Sequence, residues 1–92
     1  MTELDVARNI INATDKEMAR LFEQRMDAVR MVASYKKEHG LPIDDLEREA
    51  AIIARNSELV ECDDYRTYYV DFLRSTIDIS KKFQHNLLDD KK

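Results

Sequence analysis

The sequence predicts an all-α fold of three helices, long then short then long, in a single domain over residues 1–92, two copies of which interlock as an intertwined homodimer. Three observations predict it. Apolar residues recur at helical spacing along most of the chain, with no period-two alternation of the strand kind. The one glycine and the one proline stand almost side by side, at Gly40 and Pro42, and mark one sharp turn. The helical stretch before that turn is longer than a compact chain of 92 residues is wide.

Leu4, Ile11, Met18, Arg25 and Val32 recur every seven residues, flanked by Ala7, Leu21, Phe22, Ala28, Val29 and Tyr35, which predicts a first helix over about 4–38. At 1.5 Å rise per residue it is roughly 50 Å long. The size scaling allows a gyration radius of only about 12 Å, so a second chain is needed to cover the far half. After the turn, Asp44 is the expected cap of a helix over about 44–58, with Glu47 completing a capping box and Leu46, Ala50, Ile53 and Ser57 inward. Periodicity then lapses from Leu59 to Asp64. Asp63 or Asp64 is the expected cap of a third helix over about 64–88, with Tyr65, Tyr68, Tyr69, Phe72, Thr76, Ile79, Phe83 and Leu87 inward. The tail, residues 89–92, is expected to fray.

Composition narrows the function. Charged residues at 37% and hydrophobic ones at 43% suit soluble helices with one buried stripe and not a disordered tail. Fifteen basic against nineteen acidic residues give a net charge of −4, a field that repels nucleic acid and anionic lipid. Cys62 is the only cysteine, too few for a disulfide framework or a zinc centre, and reads as a reduced thiol. No stretch has the apolar length of a signal peptide or membrane span, so the cytoplasm is the expected address. His39 and His85 read as solvated, and no Ser/His/Asp, Cys/His or metal-ligand constellation is legible.

The polar residues at inward spacings carry more information. Arg25 and Lys36 are eleven positions apart, which brings both side chains to nearly one face some 16 Å apart along the axis, with Val29 and Val32 between them. Asp45, Arg48 and Glu49 share one surface of the second helix, and Ser80 and Gln84 are an i, i+4 pair on the third. Taken singly, Arg48 with Glu49 suits a solvated helix face and Ser80 with Gln84 suits a surface. Arg25 does not, because it occupies a heptad position otherwise apolar, where an unpaired charge is costly. Three helices can thus converge on a cation-lined cavity for a small anion. Arg8 lies roughly 25 Å from Arg25 along the same helix, so if it serves such a site it serves the partner's.

In these residues the chain resembles the all-helical class of chorismate mutases. Arg8, Arg25, Lys36, Asp45, Arg48, Glu49, Ser80 and Gln84 match that pattern in order, and the stretch from Pro42 to Glu49 is its most recognisable part. The resemblance spans about Leu4 to Leu88. It implies an intertwined homodimer that rearranges chorismate to prephenate on the route to phenylalanine and tyrosine, a pericyclic reaction needing no nucleophile, metal or cofactor. It implies that Arg25 and the partner's Arg8 clamp carboxylates, that Arg48 adds positive potential, and that Ser80 adds a hydrogen bond. Lys36 and Gln84 are then the catalytic pair at the ether oxygen, with Glu49 and the helix start near Asp45 at the ring hydroxyl. Members occur alone or fused to a dehydratase, dehydrogenase or synthase domain, and the sequence fits either. An isochorismate-pyruvate lyase of the same fold and a non-catalytic helical dimerisation module are the alternatives.

Overall fold

The computed structural model describes residues 1–88, and the tail expected to fray lies outside the described residues. Three helices account for nearly all of them: α1 (Glu3–His39), α2 (Leu46–Ser57) and α3 (Asp63–Leu88). The fold is all-α. α3 packs against both α1 and α2, so it is the element on which the other two are hung.

Local chemistry sets the helix ends. Thr2 opens α1 with a capping box, its Oγ1 accepting from the Asp5 amide at 3.1 Å while Asp5 Oδ2 accepts from the Thr2 amide at 3.1 Å. Gly40 closes it in the left-handed conformation, φ 65° and ψ 31°. The Gly40 amide donates to Lys37 O at 3.4 Å and the Leu41 amide to Lys36 O at 2.9 Å, a Schellman closure, and Pro42 follows because it cannot continue a helix.

The cap of α2 is a correction to the sequence reading. Asp45, not Asp44, is the cap, and its carboxylate accepts from the Arg48 amide at 3.1 Å. The residue at the third helical position is then Arg48, so Glu47 completes no capping box. Asp44 instead turns toward α3, where Lys81 and His85 lie within 3.8 Å and 3.2 Å of its Oδ1. His85 therefore has a partner, and His39 has one too, stacking on Tyr35 and donating from Nδ1 to the Tyr35 carbonyl at 2.9 Å.

Beyond α2, Arg66 clasps the link to α3. Its Nε donates to Ser57 O and Val60 O at 3.2 and 3.1 Å, its Nη2 to Val60 O at 2.6 Å, and its Nη1 pairs with Asp63. One guanidinium thus satisfies the carbonyls that the end of α2 leaves open. α3 begins at Asp63, so that residue and Asp64 form its first turn, where negative charge suits the helix dipole.

The core is small: Val29 and Ala33 of α1 against Leu73 and Ile77 of α3. The inward faces also differ from the expected ones. On α3 the line facing the rest of the chain is Val70, Leu73, Ile77, Ser80 and Gln84, whereas Tyr65, Tyr68, Phe72 and Ile79 are exposed about 100° round the helix. On α2 the inward line is Glu49, Ile52, Ile53 and Asn56, and Leu46 and Ala50 are exposed. On α1, Leu4, Ile11, Met18 and Phe22 continue the Val29–Ala33 face but nothing in the chain covers them, nor Val32 and Tyr35 beside it. These helices carry more apolar surface than one chain buries, and periodicity alone does not say which stripe meets which chain.

Candidate functional site

Where α1, α2 and α3 come together they enclose a half-open cavity of about 130 Å3. Its apolar wall is Val29, Val32, Ile43, Ile52 and Ile77. Its polar wall is Arg25 and Lys36 from α1, Asp45 from the connecting loop, Arg48 and Glu49 from α2, and Ser80, Lys81 and Gln84 from α3. Seven of the eight residues singled out from the sequence therefore share one cavity. The eighth, Arg8, lies far along α1 on its exposed half and lines no part of it.

Each side chain is placed by a short chain of causes. Arg25 donates from Nη1 to Ser80 Oγ, and Ser80 in turn donates to the Thr76 carbonyl at 2.9 Å, a back-bond of the kind serine makes within a helix. The hydroxyl proton is thereby committed to the backbone, and the Ser80 oxygen holds the guanidinium over the cavity. Lys36 extends from the last turn of α1 and donates from Nζ to the Ile43 carbonyl at 2.8 Å. The Gly40 closure is what folds that carbonyl back over the helix end. An ammonium has three donors, so two remain for a guest.

Gln84 is the unusual group. It is only 7% exposed, and its Oε1 is buried without a hydrogen-bond partner among the described residues. A buried polar atom left so costs about 1–3 kcal/mol, which a core position would not retain without a use. Arg48, by contrast, is exposed at the rim, and its amide is taken by the Asp45 cap.

Glu49 is held by a residue that sequence reasoning missed. Lys81 Nζ lies 3.2 Å from Glu49 Oε2 and 3.4 Å from Oε1, with Asp44 Oδ1 at 3.8 Å. The hydrogen bond to Glu49 raises the Lys81 pKa above its ordinary value; partial desolvation opposes this, and the charges of Asp44, Glu49 and Asp78 add to it. The i+4 spacing of Lys81 from Ile77 was the available signal, and its place beside Ser80 on an exposed-looking stretch concealed it.

The sum is a pocket with four cationic and two acidic side chains in a chain whose net charge is −4. Poor screening between apolar walls makes such a cluster attractive to a small dianion. No group of three or more His, Cys, Asp or Glu able to hold a metal ion occurs among the described residues, and no helix among them is long and apolar enough to cross a membrane.

Comparison with known proteins gives two findings. Residues 7–85 match the family described as chorismate mutase type II. The T-protein of Haemophilus influenzae is 40% identical over 53 residues, which are 58% of this chain and 14% of that protein. The chain thus spans about one-seventh of that relative's length. No solved structure matches the chain significantly.

Proposed function

The chain belongs to the chorismate mutase type II family, and from that premise we propose that its cavity binds chorismate and rearranges it to prephenate. The observation that carries the proposal is the convergence of Arg25, Lys36 and Arg48 on one pocket that Gln84, a buried amide able to donate from its Nε2, also lines.

The rearrangement breaks a C–O bond and forms a C–C bond in one molecule, so the pocket has two tasks. It must hold a flexible dianion in its folded conformer, and it must stabilise the charge that grows on the ether oxygen. Arg25, fixed by Ser80, suits a carboxylate because its planar fork matches two oxygens. Arg48 adds positive potential at the rim. Lys36, aimed by the Ile43 carbonyl, and Gln84 are the donors to the ether oxygen, and their hydrogen bonds strengthen as the bond breaks. Glu49 and the α2 start at Asp45 receive the ring hydroxyl.

A second copy completes the site. The uncovered stripe from Leu4 to Phe22 runs roughly 27 Å along α1, and an antiparallel partner laid on it would bring its Arg8 to this cavity as the second carboxylate clamp. The protein would then be a single-domain homodimer acting in the cytoplasm, in the formation of phenylalanine and tyrosine. Purified protein should consume chorismate, followed by its ultraviolet absorbance, and yield prephenate. Release of pyruvate instead, or no consumption by folded protein, would reject the assignment.

A further inference from the structure

We propose that Lys81 is a positioning residue, the counter-charge that keeps the Glu49 carboxylate turned toward the ring-hydroxyl end of the pocket and away from the arginines that clamp the guest. This deepens the mutase reading and rests on it. The geometry is specific. The Glu49 side chain is 20% exposed and that of Lys81 is 23% exposed, and the ammonium reaches both carboxylate oxygens, at 3.2 and 3.4 Å.

A carboxylate so far withdrawn from water needs a paired cation. Glu49 shares its cavity with Arg25, Lys36 and Arg48, so an unrestrained Glu49 would turn to one of them. Each such pairing would cancel charge meant for the substrate. Lys81 prevents it from the α3 side, and it is itself tied to the connecting loop through Asp44, which also holds His85 at 3.2 Å. Loop, α2 and α3 are thereby joined at the mouth of the pocket. The same loop presents the Ile43 carbonyl to Lys36, so the two ammonium groups sit in register with one backbone segment.

The alternative role, direct contact of Lys81 with a carboxylate of the guest, makes a different prediction for a double variant. In the full chain, Lys81→Met should raise KM for chorismate about tenfold with kcat within about threefold, because a hydroxyl held equally before and during bond breaking contributes uniform binding. Lys81→Arg should recover most of the loss. An analogue with hydrogen in place of the ring hydroxyl should lose less against Lys81→Met than against the parent. In a Glu49→Gln background, Lys81→Met should change KM by less than about twofold, since the partner it positions is already gone.

An unchanged KM in folded Lys81→Met overturns the proposal. So does a tenfold effect that persists in the Glu49→Gln background, which would assign Lys81 to the guest itself. If Lys81→Met fails to fold, Lys81→Gln gives the same comparison with the hydrogen bond kept and the charge removed. The ammonium titration of Lys81 by NMR supplies a readout that needs no turnover. Glu49→Gln should lower its midpoint, and an unmoved midpoint overturns the pairing. Absence of turnover by the parent protein, with that coupling intact, would overturn the mutase reading instead.

Discussion

Lys36 is the proposed donor to the ether oxygen, and its side chain is already held in place in the chain. Its ammonium is half-buried, anchored through one proton to Ile43 O at 2.8 Å, and free to direct the others into the pocket. A donor aimed before the reaction begins stabilises developing charge without reorganising, and loss of one such donor typically costs about a hundredfold or more in turnover. Lys36→Ala should therefore fold with parental helicity and lose at least about a hundredfold in kcat. Near-parental turnover would remove Lys36 from the catalytic pair. Lys81 carries a prediction in pH. Its folded-state pKa is raised above the unfolded value of about 10.4, chiefly by the bond to Glu49, so its contribution is complete below that value and lost as pH rises through the folded-state midpoint. Urea denaturation should accordingly show an alkaline fall in stability that Glu49→Gln lessens. Cationic spacing was legible in sequence at Arg25, Lys36 and Arg48. The groups that hold Arg25, Lys36 and Glu49 were not, because Ser80 and Lys81 act from a segment remote in the chain and Ile43 acts through its backbone.

Helix α2 tests the scale of elements. Two aspartates precede it, and only Asp45 accepts from the α2 amides, while Asp44 serves a bridge to α3. Asp45→Ala should cost about 1 kcal/mol of stability, the ordinary worth of a cap, and Asp45→Asn should restore most of it. Asp44→Ala should cost less, about 0–1 kcal/mol, since the Asp44 side chain in both ion pairs is more than half exposed. Equal losses for the two alanine variants in denaturant titration would contradict the assignment of the cap. The existence of α2 followed from its apolar spacing, but that Asp45 caps it while Asp44 pairs with Lys81 and His85 is seen only in the tertiary structure. The Gly40 turn, by contrast, was legible at once, because only glycine adopts φ 65° without strain and a proline stands two residues on.

The whole molecule is 55 Å long and 17 Å thick, with a gyration radius of 16.6 Å against the roughly 12 Å of a compact chain its size. Among the described residues only four apolar side chains are buried, a small core to set against the entropy of ordering such a body. In the proposed homodimer a second copy laid along the exposed apolar stripes of α1 and α3 would resolve this, and each site would then be composite. Sedimentation should give a dimer. Mixing denatured Arg8→Ala and Lys36→Ala chains and refolding them together should restore about a quarter of parental activity. Half the dimers are then mixed, and each mixed dimer has one intact site. No recovery from two folded, inactive variants would exclude Arg8 from the partner's pocket.

From sequence alone came the helices, the turn, the deficit of cover on α1 and the set of polar residues at inward spacing, since all of these are written in local periodicity and in glycine and proline. Only the tertiary structure decided which apolar stripe of each helix faces its own chain, which aspartate caps α2, and that Lys81 is the partner of Glu49. Those outcomes turn on distances between side chains 32 or more residues apart in the chain, and periodicity within a helix carries no information about them.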